Sequence, residues 1–297
     1  MMFFENIPLA SKTSYRIGGP ARFYCEPTSE SEVYNALRYS SENKLPVFFL
    51  GKGSNVLVSD NGWPGLVINL SALTFISRTG LTVEASGGYP LDGLVSFAVE
   101  NGCGGAEELS GIPGTVGGAV VMNAGAFSTC IADVIRSVRV LNCQTMEIET
   151  KSREMLDLGY RSSSLKGKEY VVLSATFEFK AVDPVLLEEI RKKILCRRQE
   201  KQPLEFPNCG SVFKRPAGNY AGTLIEMSGL KGFGIGNVEV STKHANFLIN
   251  KGNAKAEDVR KLISHIRQTV FERYGILLEP EVIFVGDFKQ TLYEPEL

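Results

Sequence analysis

Three short segments of this sequence carry a cation, a hydroxyl and a carboxylate: Tyr160-Arg161, Gly210-Ser211 and Pro280-Glu281. Two further segments, Leu50 to Asp60 and Gly111 to Gly125, are rich in glycine and small polar residues. Glycines lack a Cβ, so consecutive backbone N–H groups can turn inward and approach a phosphate closely. Phosphate-cradling loops beside a set of charge- and proton-handling side chains read as a cofactor enzyme.

In the first loop a strand through Phe48, Phe49 and Leu50 runs into Gly51, Lys52, Gly53, Ser54 and Asn55, and then into Val56, Leu57 and Val58. An ordinary tight connection between strands has the same composition. The second loop carries more information. Pro113 fixes a turn and Thr115 offers a hydroxyl, and the small residues around them suit a surface that a flat ring and a pyrophosphate can approach. Close packing of a helix on a sheet is the competing use of those residues. Neither loop has the G-x-G-x-x-G or G-x-x-x-x-G-K-[ST] pattern, and Gly232-Phe233-Gly234-Ile235-Gly236 lacks the spacing, so Rossmann and P-loop sites are disfavoured.

The elements that must position these residues are mixed α and β. Short apolar runs at Pro46–Leu50, Val56–Val58, Leu66–Leu70, Leu81–Ala85, Val134–Leu141 and Tyr170–Phe179 predict strands, and Ser29–Glu42 and Leu91–Glu100 predict helices. Asp183-Pro184 is an N-cap with proline in the first turn. Leu186, Leu187, Ile190, Ile194 and Leu195 follow at helical spacing as far as Arg197-Arg198, a helix placed at the opening of a C-terminal domain. A second long helix is predicted from about Lys255 to Tyr274. Val259, Leu262, Ile263, Ile266 and Val270 share one face, Glu257 and Asp258 stand in the first turn, and Gly275 lies just past the end.

At 297 residues the chain is long enough for two or three domains with a buried core. Its 32 Lys and Arg against 33 Asp and Glu create no field that would recruit nucleic acid or an anionic membrane, so an anionic ligand must be met locally. The six cysteines form no C-x-x-C pair and have no histidine at metal-ligand spacing, which predicts reduced thiols and no metal. The N-terminal stretch from Met1 has no signal-peptide pattern and no later segment is a membrane span, so a cytoplasmic protein is expected.

The order Tyr15-Arg16-Ile17-Gly18-Gly19, Gly51-Lys52-Gly53-Ser54-Asn55, Gly111-Ile112-Pro113-Gly114-Thr115-Val116-Gly117-Gly118, Gly159-Tyr160-Arg161, Gly210-Ser211-Val212-Phe213-Lys214 and Leu278-Glu279-Pro280-Glu281-Val282 resembles the UDP-N-acetylenolpyruvoylglucosamine reductase family, MurB. The resemblance spans nearly the whole chain. It implies an α+β fold of the MurB/PCMH flavoprotein type, with FAD-binding subdomains over 1–70 and 71–182 and a substrate-binding domain over 183–297 whose last strand returns to the first subdomain. FAD is then held by Gly51, Lys52, Gly53, Ser54 and Asn55, and by Ile112, Pro113, Gly114, Thr115, Gly118, Ala119, Asn123, Ala124 and Gly125. The implied reaction passes hydride from NADPH through the flavin to the enolpyruvyl ether of a UDP-sugar, giving UDP-N-acetylmuramate for peptidoglycan.

By the same resemblance Arg161 activates the substrate carboxylate, for which its planar fork is suited, Ser211 gives the proton, and Glu281 is the catalytic carboxylate, with Glu279 as its near neighbour. Lys214 is a candidate cation to assist Ser211, and Tyr160, Lys214 and Arg215 are candidate substrate contacts. His244 and His265 are the only histidines, and neither falls in the flavin half, so noncovalent FAD is expected; His244 has a substrate-facing and a purely structural reading. The chain departs from the family pattern at Arg215, where asparagine is common, and at Phe127, where tyrosine is common. Too little chain separates Arg161 from Ser211 for the tyrosine-bearing insertion of longer members, so the shorter, type II subgroup is the better match and a different group must close over the UDP end. An FAD-dependent oxidase and a catalytically inactive nucleotide-sugar binding protein are the alternatives.

Overall fold

A computed structural model of the chain describes residues 2–167, 169–289 and 291–295; Met1, which opens the N-terminal stretch read above, and Lys168, Gln290, Glu296 and Leu297 lie outside the described residues. The backbone separates into two compact units that interleave along the sequence. The first holds Phe23–Lys52 and Gly65–Arg198 with the first few residues, and the second holds Glu5–Arg22, Gly53–Pro64 and Gln199–Leu297.

In the first unit an antiparallel sheet has the strand order Ile148–Ser152, Ile135–Asn142, Tyr170–Glu178, Thr82–Ser86, Ile76–Thr79. Strand Tyr170–Glu178 is apolar on both faces because both are covered. Val172, Ala175 and Phe177 enter a core with Val83, Leu94 and Val120, while Val171 and Leu173 enter a second with Val33, Leu66 and Ile68. Helix α1 (Glu30–Glu42) covers the second core. Ser29 caps it by accepting from the Glu32 N–H, and Val33, Ala36, Leu37 and Ser40 are buried at the 3–4 spacing of one helix face. Beside it Val47–Leu50 pairs parallel with Leu66–Asn69. Helices α2 (Leu91–Glu100) and α3 (Val116–Val121) cover the first core.

α3 approaches the sheet through glycine. The Gly117 N–H donates to the Gly87 carbonyl at 2.8 Å, and a Cβ on Gly117 would sit 3.0 Å from that oxygen. Helix α4 (Pro184–Lys201) runs past Arg198 to Lys201, three residues further than its apolar spacing suggested. The added residues are good helix formers, and Pro203 then stops the chain from continuing. Of its apolar face only Leu187 is fully buried, in the first unit's core; Leu186 is 51% exposed.

In the second unit helices α5 (Ala221–Met227) and α6 (Ala256–Tyr274) pack on a three-stranded antiparallel sheet ordered Gly234–Ile235, Val238–Val240, Leu248–Asn250. α6 buries Val259, Leu262, Ile263, Ile266 and Val270, and Gly275 closes it at φ 67° with its N–H on the Phe271 carbonyl at 2.8 Å. Its first turn is capped from elsewhere in the chain. Asp60 accepts from the Ala256 and Glu257 N–H groups at 2.9 and 3.0 Å, a carboxylate at the positive end of the helix dipole. Ile283–Val285 pairs parallel with Val56–Val58, which brings the end of the chain back beside the strand that leaves the first glycine loop. Among the described residues no helix is long and apolar enough to cross a membrane, and all six cysteines are free.

Candidate active site

The Gly111–Gly125 loop is pinned at both ends within the first unit. Gly111, at φ 74°, donates its N–H to Asp92 Oδ1 at 2.7 Å. The same carboxylate receives Arg191 of α4 through two nitrogens at 3.0 and 3.1 Å. Gly114, at φ 143°, offers its carbonyl to the Leu91 N–H, and Thr115 caps α3 with its hydroxyl on the Gly118 N–H. Gly51 and Lys52 belong to this unit too: a Cβ on Gly51 would lie 2.5 Å from Thr115 Oγ1. The start of the first loop therefore lies directly against the cap of the second.

Gly118 behaves differently. It is exposed, and a Cβ there would meet nothing nearer than Thr115 Oγ1 at 3.6 Å. Gly51 and Gly117 are glycines required by the protein's own packing, while the exposed Gly118 beside them leaves free space at the surface, room that a group of FAD fits.

Arg161 sits on a tight turn in the same unit. Gly159 and Ser162 exchange N–H···O bonds at 3.1 and 3.3 Å, and Arg161 between them adopts φ 54°, a left-handed conformation uncommon for a side-chain-bearing residue. Its Nη2 donates to the Gly125 carbonyl at 2.9 Å, and its guanidinium lies 5.1 Å from the centre of the exposed Tyr160 ring. Asn123 holds the turn. Its side chain is buried, Nδ2 donates to the Gly159 carbonyl at 2.8 Å, and Oδ1 accepts from the Ala132 N–H at 2.9 Å. The amide is thus committed at both ends, Nδ2 tying the glycine loop to the Arg161 turn and Oδ1 tying it to Ala132. Phe127, at the tip of the hairpin Gly125–Ala126/Thr129–Cys130, is half exposed with the Arg197 guanidinium 4.5 Å from its ring centre.

Ser211, Lys214 and Glu281 belong to the second unit. The Glu281 N–H donates to the Val212 carbonyl at 2.7 Å, the Lys214 N–H donates to the Glu279 carbonyl at 2.9 Å, and Phe213 stands opposite Pro280 in an antiparallel bridge. Ser211 and Glu281 are therefore carried on two strands bonded to each other. The first-loop residue Asn55 joins them, donating Nδ2 to the Glu281 carbonyl at 3.2 Å and accepting the Ile283 N–H on its own carbonyl. Gly53 completes the loop's contacts here: its carbonyl takes the Ser14 N–H at 3.1 Å, and a Cβ on it would clash with the Lys12 carbonyl.

The two glutamates differ. Glu279 is largely exposed and its carboxylate takes the Lys214 ammonium, so the candidate helper of Ser211 is paired with Glu279. Glu281 is half-buried, and its carboxylate reaches the fully buried Cys209 electrostatically. Burial, opposed by a backbone hydrogen bond and aided by that negative charge, pushes the Cys209 thiol up to about 12, which makes it an inert neutral neighbour. Tyr15 lies beyond Cys209 with its hydroxyl fully buried and its ionisation suppressed by burial.

His244 accepts the Asn246 N–H on Nδ1 at 3.2 Å and packs edge-on against Phe247. That contact takes up one ring nitrogen in shaping a loop. His265 stacks on Phe233. Arg215 stacks on the exposed Tyr220, 4.1 Å from its ring centre.

Comparison with known proteins decides the family. Residues 202–285 match the model of the UDP-N-acetylenolpyruvoylglucosamine reductase C-terminal domain, and residues 21–150 match an FAD binding domain. A UDP-N-acetylenolpyruvoylglucosamine reductase of Clostridium perfringens is 44% identical over 279 residues, covering 94% of this chain and 91% of the relative. One from Caldicellulosiruptor saccharolyticus is 42% identical over 294 residues, 98% of this chain and 94% of the relative. The chain belongs to the UDP-N-acetylenolpyruvoylglucosamine reductase (MurB) family. The crystal structure of the MurB enzyme from Thermus caldophilus superposes with a TM-score of 0.81 at 31% identity, covering 96% of this chain and all of that one. The α+β fold expected from the sequence is the MurB fold.

The sequence does not reveal three residues that hold these backbones: Asp92 under Gly111, Gly87 under α3, and Asn246 beside Phe213. It puts Asn123 among the cofactor contacts and gives no sign that its side chain is committed to Gly159. A buried Asn at a loop-to-strand junction leaves no periodic signal, and its amide partners are set only by the fold.

Proposed function

We propose that Arg161, Ser211 and Glu281 divide between them the reduction of UDP-N-acetylenolpyruvoylglucosamine that this chain carries out with FAD and NADPH. Bound FAD supplies the hydride, taken from NADPH, that is added to the terminal enolpyruvyl carbon. Gly51 to Asn55 and Ile112 to Gly125 hold the FAD through backbone groups and without a covalent bond, since no histidine stands in either loop.

As the terminal carbon gains hydride, the double-bond electrons move to the adjoining carbon and its carboxylate. Arg161 steadies that enolate with a guanidinium already oriented by the Gly125 carbonyl, so little reorganisation accompanies the build-up of charge. The Ser211 hydroxyl passes its proton to the adjoining carbon and recovers one from water. Glu281 orients or protonates the enol. The single observation that supports this division is the bond from the Glu281 N–H to the Val212 carbonyl, which places the carboxylate residue on the strand partnered with that of Ser211. Tyr160 and Arg215 contact the substrate, and the compartment is the cytoplasm, in keeping with the free thiols.

Stopped-flow reoxidation by the enolpyruvyl sugar tests the assignment. Arg161→Lys keeps the charge and loses the fork, and turnover should fall substantially with binding retained. Glu281→Gln should slow reoxidation while Glu279→Gln leaves it near wild type; the reverse pattern moves the role to Glu279.

A further inference from the structure

The strand that carries Ser211 has a different support on each side. On one side it is laced to residues 279–281 through Val212 and Lys214. Val212 divides its own groups between the two sides, its C=O towards Glu281 and its N–H towards Asn246, and Phe213, between Val212 and Lys214, turns both of its groups the other way. No backbone strand takes them there. The side chain of Asn246 does: Oδ1 accepts the Phe213 N–H at 3.0 Å and Nδ2 donates to the Phe213 carbonyl at 2.9 Å, while the Asn246 carbonyl takes the Val212 N–H at 2.8 Å. A primary amide is the side chain that can imitate a neighbouring strand in this way, since it presents one donor and one acceptor in a plane.

The arrangement fixes register next to Ser211. Both Asn246 and Phe213 are buried, at 7% and 2% exposure, so the Phe213 groups have no water to fall back on. Ser211 itself stands opposite Phe247, the residue after Asn246, in an isolated bridge. Upstream, Gly210 is at φ 79° with open space where a Cβ would be, and its N–H donates to Asn208 Oδ1 at 2.9 Å. The Asn246 loop is itself tightened by Ser241 Oγ, which accepts the Lys243 and His244 N–H groups, and by His244 Nδ1 on the Asn246 N–H.

We propose that Asn246 is a positioning residue for the reduction, holding Phe213 by its backbone so that the Ser211 hydroxyl stands where the proton is needed; this rests on the proton-donor reading of Ser211 given above. Loss of the amide leaves the strand held on that side by the Val212 N–H bond to the Asn246 carbonyl but no longer at Phe213, and a displacement of about 1 Å in a reacting group slows its step by on the order of 10²-fold.

The test is a double-mutant cycle on the holoenzyme with Asn246→Leu, Ser211→Ala and the pair, reading flavin bleaching by NADPH and reoxidation by the enolpyruvyl sugar separately. Asn246→Leu should leave bleaching near wild type and slow reoxidation by roughly 10- to 100-fold. In the Ser211→Ala background it should add almost nothing, because it acts through that hydroxyl. Asn246→Ser, smaller and still polar, takes the place of the leucine variant if that variant does not retain flavin. Full additivity of the two substitutions, or equal slowing of both half-reactions by Asn246→Leu, overturns the proposal. A Ser211→Ala enzyme with unimpaired reoxidation overturns the proton-donor reading, and the positioning role with it.

Discussion

Removing the Asn123 amide should loosen the Arg161 turn, and the size of the effect follows from its contacts. Asn123→Gly is the clean substitution, because φ at this residue is 41° and glycine adopts that conformation without penalty. It leaves the Gly159 carbonyl and the Ala132 N–H without the partners they have at 2.8 and 2.9 Å. One buried donor, the Ala132 N–H, is orphaned at about 1–3 kcal/mol, while the exposed Gly159 carbonyl keeps the Ser162 N–H and loses a bond worth about 1 kcal/mol; about 1 kcal/mol returned by relaxing a left-handed asparagine offsets the latter, leaving a loss of about 1–3 kcal/mol. Arg161 is held at φ 54°, so any slack in Gly159 is released there first. Thermal unfolding should therefore shift downward, and stopped-flow reoxidation by the enolpyruvyl sugar should slow by on the order of 10²-fold. An Asn123→Gly enzyme that melts and reoxidises like wild type would refute the claim that this side chain braces the turn.

Gly118→Val should leave the melting temperature of the flavin-free protein nearly unchanged, since a Cβ there meets only Thr115 Oγ1 at 3.6 Å, yet weaken FAD binding measured by flavin fluorescence titration. Unchanged FAD affinity would remove the open face of Gly118 from the FAD contacts. Acid precipitation should release the flavin into the supernatant; colour remaining in the pellet would mean a covalent bond. Burial lowers the His244 pKa, with a backbone hydrogen bond opposing it, Lys231 adding to the effect and Glu226 opposing it. The unfolded chain therefore takes up that proton first as pH falls below about 6.5, and stability drops from there until the folded pKa is passed. His244→Gln should flatten the fall in melting temperature over that window, and an unchanged slope would assign the acid sensitivity elsewhere.

The elements that carry these residues were legible because they are periodic. α6 follows the spacing Val259, Leu262, Ile263, Ile266, Val270 and stops at Gly275, and five of the six predicted strand runs lie within one residue of the observed ones, while Leu66–Leu70 starts three residues inside Trp63–Asn69. The glycine loops stand out in the sequence by composition, and Tyr160-Arg161, Ser211 and Glu281 by residue type and motif. Contacts made across long stretches of sequence were not legible. Lys214 pairs with Glu279, Asn55 reaches the Glu281 carbonyl, and Asp60 caps α6, each joining residues far apart in the chain. No local pattern encodes such partners. The extent of α4 escaped for another reason: helix propensity carried it past its apolar stripe until Pro203.

The central claim, that Ser211 supplies the proton after the flavin's hydride has left, is tested most directly by an anaerobic two-stage flavin experiment on wild type and Ser211→Ala. NADPH should bleach both at similar rates. The enolpyruvyl sugar should then restore the colour quickly in wild type and about 10²- to 10⁴-fold more slowly in the variant, the usual effect of removing a positioned proton donor. Equal slowing of bleaching and colour return in Ser211→Ala, or a wild-type flavin that recovers its colour with oxygen and not with the sugar, would contradict the account.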